Sequence, residues 1–175
     1  ISFLNNDVPK ITDNFTQIFS PETAYQMTSI LEGVVKRGTG KKLRDLNLDL
    51  AGKTGTTNKN TDTWFVGFTS KLVVGVYVGF DEPQSLGKFE TGAKTAMPIF
   101  KEFVKKGIKK KDARPFKVSD NIIMMVVDHK TGKKANFASK KTIIEAFKKD
   151  KLNFKDNQNL DINNRFKNNN ILKFY

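Results

Sequence analysis

AGKTGTTNKNTDTWFVGF, residues 51–68, runs a lysine and a series of threonines into an asparagine-rich stretch and then an aromatic segment. Two readings compete for it. Gly52-Lys53-Thr54 is the closing triplet of a Walker A phosphate loop, and it is equally a strand offering an ammonium and hydroxyls to a carboxylate. Walker A requires a glycine five residues before Gly52 and a helix starting at the Lys-Thr pair. Asn47 stands at that place, and TGTTNKNTD is a poor helix start. The phosphate-loop reading fails on both counts. What remains is a strand over residues 51–57, a turn over 58–61 and a second strand from Trp64, paired antiparallel. On such a strand Lys53 and the hydroxyls of Thr54 and Thr56 can hold a carboxylate. Gly55 admits a ligand close to the backbone, and the next N–H can face an oxyanion. A bare KTG triplet is more often no more than a surface strand with a solvated lysine.

Upstream, SPETAYQMTSILEGVVKRGTG is a well-signalled helix: Ser20 as N-cap, Pro21 in the first turn, Glu22 at the positive dipole end, Lys36 and Arg37 at the other end and Gly38 as the stop. Ala24, Met27, Leu31 and Val34 form its apolar stripe. A loop follows Thr39 and Gly40, and LNLDLAGKTGTT alternates as a strand does. Downstream, TWFVGFT and LVVGVYVGF form a hairpin closed by Ser70-Lys71, with Gly75 and Gly79 on one face, where close packing of another element is expected. DEPQSLGKFETGAK is a turn-rich connection. TAMPIFKEFVKKG is then helical, with Pro98 tolerated in its first turn and Ile99, Phe100 and Phe103 as its apolar face. From Arg114 the character changes: a short strand at 122–127, a turn at 128–134 and a short amphipathic helix at 142–149. The stretch beyond Asp150 is too polar to bury a core.

The fold class is α+β, an antiparallel sheet flanked by helices. With 175 residues the chain can hold one ordinary core. It begins at Ile1, as a piece of something longer or a processed product would. The longest apolar run, 122–127, is far short of the ~20 residues that cross a bilayer, so any membrane anchor is expected outside the chain. Thirty-one basic residues against 18 acidic ones give +13, a charge that attracts nucleic acid, anionic lipid or acidic polymers but also follows from a lysine-rich composition spread over solvated faces. Zero cysteines exclude disulfides, thiolate nucleophiles and cysteine-ligated zinc. The single histidine, His129, falls in the turn of VVDHKTGKK, which argues against a histidine-based triad or metal cluster.

KTGTTN followed by DTWFVGFT and then VVGVYVGFDEPQSLGKFETGAKTAMPIFKEF resembles the C-terminal part of the transpeptidase domain of class A penicillin-binding proteins, and SPETAYQMTSILEGVVKRGTG resembles the helix leading to their KTG strand. KTG is one of three family signatures, with S-x-x-K and S-x-N the others. VVDHKTGKKANFASKKTIIEAF is similar to a small hairpin and helix that follow the domain in some members. The resemblance divides the chain into a C-terminal portion of the transpeptidase domain (1–113), an appendage (114–150) and a polar tail (151–175). It implies serine acyl transfer that cross-links peptidoglycan stem peptides ending in D-Ala-D-Ala, acylation by β-lactams, no cofactor and no metal. It also implies a place on the periplasmic side of the bacterial inner membrane, with the anchor upstream. The family roles fall on Lys53 (hydrogen bonding and positive field), Thr54 (terminal carboxylate), Gly55 (room for the peptide) and Thr56 (oxyanion-hole N–H and a hydroxyl). Asp62 and Trp64 match as structural residues.

The chain departs from the family in its nucleophile. No S-x-x-K precedes Lys53, and no S-x-N does either. Ser85-Leu86-Gly87-Lys88 fits the spelling but follows KTG, in a Pro/Gly loop where serine and lysine would not stack a helical turn apart. The chain is thus expected to carry substrate-site residues without the nucleophile and to be inactive alone. Two other classes stay open: a non-enzymatic basic module for peptidoglycan, anionic lipid or a protein partner, and a nucleic-acid binder. The second is disfavoured because no nucleic-acid motif is present and the aromatics fall at core positions.

Overall fold

The computed structural model describes residues 16–108 and 114–152. Its elements follow in the order α1 (Pro21–Arg37), a 3-10 turn (Lys41–Leu46), β1 (Ala51–Thr56), β2 (Asp62–Phe68), β3 (Val73–Gly79), α2 (Ala96–Gly107), β4 (Ile122–Asp128) and β5 (Thr142–Lys148). The first three strands make one antiparallel sheet in the order β1-β2-β3, and β4 and β5 make a second of two strands. Antiparallel sheets flanked by helices are the expected α+β architecture.

The β1–β2 pairing runs from Ala51 opposite Phe68 to Thr56 opposite Thr63, across a short 3-10 turn at Asn58–Asn60. No helix begins at Lys53. Lys59 and Asn60 take positive φ in that turn (63° and 55°), where asparagine is the better tolerated of the two. The β2–β3 hairpin closes where Thr69 N–H donates to the Leu72 carbonyl (2.9 Å) around Ser70-Lys71. Alternation along β2 sends Thr63, Phe65 and Gly67 inward and leaves Trp64 and Val66 exposed. Phe65 is fully buried and meets Phe100 of α2 with ring centroids 4.7 Å apart. Around that pair lie Val35, Leu43, Leu50, Ala96, Met97 and Val104.

Both helices form where capping and periodicity place them, but their buried faces differ from those expected. The Ser20 side chain accepts from Thr23 N–H, and Gly38 ends α1. Its buried residues are Ser29, Glu32, Gly33 and Val35, while Ala24 and Met27 of the expected stripe are exposed and Leu31 and Val34 only half-buried. Small residues at 29 and 33, one helical turn apart, let the helix approach the sheet. Gly33 also leaves space for the Arg37 guanidinium: a Cβ there would lie 2.8 Å from it. Glu32 tolerates burial because Lys36 pairs with it at 3.0 Å. In α2 the buried set is Ala96, Met97, Phe100 and Val104; Ile99 and Phe103 of the expected face point to solvent.

Three further expectations need correction. Residues 47–50 are not strand, because Asn47 adopts a left-handed conformation (φ 52°, ψ 46°) that ends the 3-10 turn and delays β1 to Ala51. Residues 142–148 are a strand and not an amphipathic helix. TIIEAFK is β-branched and aromatic, and β4 offers it a full ladder from Ile122–Lys148 to Asp128–Thr142. Gly75 has only the Val66 methyl, 3.9 Å from a built Cβ, so no element crowds it among the described residues. The turn carrying His129 does lie between strands, with the Asp128 carboxylate accepting from the N–H groups of Lys130 and Thr131. Apart from residues 151 and 152, the polar tail lies outside the described residues, and among those no helix is long and apolar enough to cross a membrane.

Polar contacts tie the β4–β5 hairpin to α1. Gln26 donates to the Ala146 carbonyl (3.0 Å), Lys148 to the Thr23 hydroxyl (2.7 Å), and Arg37 pairs with Glu145. At the start of α1, Glu22 accepts from Ser119 (2.8 Å) and Asn121 (3.3 Å). A backbone N–H, then Ser119, Ser20 and Asn121, hold its carboxyl down at about 2. A carboxyl depressed in the folded state contributes stability above its unfolded pKa and loses it as pH falls through the folded value. Hydrogen exchange in α1 and β5 should therefore speed up as pH drops from about 4.5 toward about 2, relative to the intrinsic rate. Glu22→Gln should flatten that dependence; an unchanged slope would mean the contact does not join the two parts.

Candidate functional site

β1 is an edge strand among the described residues, and its register decides what that edge presents. Thr57 N–H donates to the Asp62 carbonyl (3.1 Å), making 57 and 62 a hydrogen-bonded pair. Such pairs alternate along an antiparallel ladder, so Gly55–Trp64 and Lys53–Val66 bond across the strands, while the N–H and C=O groups of Thr54 and Thr56 turn away from β2. The backbone of the KTGT run therefore offers an N–H at Thr54, a carbonyl at Thr54 and an N–H at Thr56 along one open edge. An extended peptide could add there as a further strand.

The side chains approach that edge from both faces of the sheet. Lys53 and Gly55 lie on one face, Thr54 and Thr56 on the other. Lys53 is exposed, and its ammonium folds back to donate to the outward-facing Thr54 carbonyl at 2.9 Å. Among the described residues no carboxylate pairs with it within 4.0 Å. It is a cation parked on its own strand and available to an arriving anion. The Thr54 hydroxyl lies 3.3 Å from that of Thr39, in the loop after α1, and is half-buried. Thr56 is exposed, and its hydroxyl accepts from the Gly92 N–H at 3.1 Å. At Gly55 a Cβ would stand 3.2 Å from that of Trp64, so the missing side chain eases the tight pairing.

Asp62 and Trp64 brace the turn. Asp62 N–H donates to the Thr57 hydroxyl (2.8 Å), and its carboxylate accepts from Tyr77 (2.7 Å), Thr61 (3.1 Å) and Thr57 (3.3 Å). The Tyr77 hydroxyl is the main cause of the lowered Asp62 pKa, and Asp62 in turn raises that of Tyr77. The Trp64 ring packs on Tyr77 at 4.8 Å. Ser85 and Lys88 sit in the irregular connection, where Ser85 Oγ accepts from Gly87 N–H (3.2 Å) and Lys88 lies over the Phe89 ring. They are not a helical turn apart on any helix.

A groove of about 990 Å³ opens elsewhere, between α1 and the β4–β5 hairpin, lined by residues including Tyr25, Glu32, Ile123 and Ile144. None of residues 53–56 lines it. Gly92, which touches Thr56, stands in the TG pair before α2, and nothing local in the sequence marks it as part of the site.

The family described as penicillin binding protein transpeptidase domain matches residues 9–105, more than half of the chain. Penicillin-binding protein 1A of Rickettsia conorii is 42% identical over 154 residues, which are 88% of this chain and 19% of that protein. The protein of the same name from Pseudomonas aeruginosa is 41% identical over 133 residues, 75% of this chain and 16% of its own length. Among solved structures, penicillin-binding protein 1A from Haemophilus influenzae superposes with a TM-score of 0.65 at 30% identity, covering 73% of this chain and 20% of that one. The chain thus spans about a fifth of the length of these relatives. A family match over more than half of the chain, together with the likeness to these relatives, shows that the chain belongs to the penicillin-binding protein transpeptidase family.

Proposed function

We propose that β1 is the substrate-binding strand of a serine-type D-Ala-D-Ala transpeptidase that cross-links peptidoglycan stem peptides and is acylated by β-lactams. The observation that carries this reading is the open edge, where the outward N–H groups of Thr54 and Thr56 meet the Lys53 ammonium, which no carboxylate pairs among the described residues. A peptide laid along the edge takes its main-chain hydrogen bonds from Thr54 and Thr56. Its terminal carboxylate meets Lys53 and the hydroxyls of Thr54 and Thr56, and Gly55 leaves its backbone room. When the reacting carbonyl becomes tetrahedral, the Thr56 N–H donates to the developing oxyanion. The attacking serine, the lysine that activates it and the S-x-N residues lie on segments outside this chain, as does the membrane anchor that keeps the domain on the periplasmic face. Residues 1–175 alone supply binding and oxyanion stabilisation without a nucleophile.

A competition experiment tests the substrate class. In a protein that joins this chain to the rest of its domain, a peptide ending in D-Ala-D-Ala should slow labelling by a fluorescent penicillin, and its C-terminal amide should protect at least tenfold less well, as loss of one charge-assisted contact of about 1.5–3 kcal/mol requires. Equal protection by acid and amide would remove the carboxylate from the account.

A further inference from the structure

We propose that Gly92 is a positioning residue for this site, holding the Thr56 hydroxyl so that its proton is presented at the open edge of β1. The proposal rests on the reading of β1 as the substrate strand. Three observations carry it.

The first is proximity that only glycine permits. Gly92 is buried against the β1–β2 ladder, and a Cβ built on it would lie 2.3 Å from the Trp64 carbonyl oxygen, 2.6 Å from that of Gly55 and 3.1 Å from Gly55 N. All three are backbone atoms of a paired strand and cannot swing aside. The glycine is required for close approach and not for an unusual backbone angle, since its φ is not among the positive ones.

The second is the rigidity of what bears the amide. Lys94 and Thr95 N–H groups donate to the Thr91 carbonyl (2.9 and 2.8 Å), and Met97 N–H to the Gly92 carbonyl (2.8 Å). Glu90 accepts from the Thr95 hydroxyl at 2.7 Å and pairs with Lys94. Residues 90–95 thus form a fastened corner at the head of α2, and α2 is locked to the sheet by Met97 and Phe100 in the core. The Gly92 N–H is held from the interior of the domain.

The third is the direction of the hydrogen bond. A hydroxyl has one proton and two acceptor positions. The Gly92 N–H occupies an acceptor position of Thr56 Oγ1, so the proton stays available to an acceptor. Thr63, directly opposite on the same face, does not take it: its own hydroxyl is fully buried and has no hydrogen-bond partner. The contact leaves the proton free for an incoming oxygen acceptor, such as a carboxylate, with one acceptor position of the hydroxyl also open. The same contact fixes the end of β1 that carries the Thr56 N–H.

A double-mutant cycle on the longer protein tests the coupling, read as the second-order rate of penicillin acylation. Thr56→Val and Gly92→Ala should each slow acylation by about tenfold or more, and the double variant should be no slower than the worse single one, because both remove the same oriented hydroxyl. Thr56→Ser, which keeps the hydroxyl, should stay near the parent rate. Losses that multiply would overturn the proposal, as would a Gly92→Ala protein acylated at the parent rate while Thr56→Val is slow. If Thr56→Val and Lys53→Ala are both acylated at the parent rate, the reading of β1 itself is wrong. Should Gly92→Ala fail to fold, amide exchange at Gly92 decides: protection retained in Thr56→Ser and lost in Thr56→Val supports the hydrogen bond, and equal protection in both overturns it.

Discussion

Lys53→Ala, made in the protein that contains the whole transpeptidase domain, should slow acylation by a β-lactam about tenfold to a few hundredfold. Charge-assisted hydrogen bonds of the kind Lys53 offers to a carboxylate contribute roughly 1.5–3 kcal/mol, and each ~1.4 kcal/mol is one power of ten in rate. The folded state loses little, because Lys53 is exposed and among the described residues its ammonium bonds only to the carbonyl of its own neighbour. Lys53→Arg should recover part of the rate: it restores the charge but spreads it over a planar fork that cannot fold back onto the Thr54 carbonyl in the same way. Stopped-flow acylation and a melting curve on the same samples separate the effects. An unchanged rate in a folded Lys53→Ala protein would reduce Lys53 to a solvated strand lysine.

Phe65→Ala should cost about 3–5 kcal/mol of stability, the range for emptying a large aromatic from a core. Phe65 is completely buried at the point where β2 meets α2, and its removal strips Phe100 of its ring partner. Against a total of about 5–15 kcal/mol for an ordinary domain, that is enough to leave the chain marginal. Phe89→Ala is the control: Phe89 is 70% exposed in the connecting loop, and its loss should move stability by no more than about 0.5 kcal/mol. Urea unfolding of both variants checks the pair. Comparable losses would mean that the core is not centred on Phe65 and Phe100.

Much of the fold is legible where local chemistry and tertiary demand coincide. The Ser20 cap, Gly38 stop, asparagine turn and Ser70-Lys71 hairpin are local signals, and each element appears where its signal stands. What periodicity does not state is which face will be covered. The Ala24–Met27–Leu31–Val34 stripe of α1 is real in the sequence, yet the sheet meets the face bearing Ser29 and Gly33, since small residues permit the shorter separation. Residues 142–148 show the same limit: their apolar spacing suits a helix, but β4 supplies hydrogen bonds that only a strand can use. At the site, Lys53, Thr54, Gly55 and Thr56 could be singled out because their motif is contiguous. Gly92 could not, because its contact with Thr56 spans 36 residues and depends on how the corner before α2 lands on the strand.

The central claim is that this chain supplies the substrate strand while the acylated serine lies elsewhere. Mapping the adduct tests it most directly: the longer protein is incubated with a penicillin, digested, and the modified peptide identified by mass spectrometry, with residues 1–175 treated in parallel. The account predicts one acylated serine outside residues 1–175 and no adduct on the isolated chain. An adduct on Ser85, or on any other residue of this chain, would contradict it.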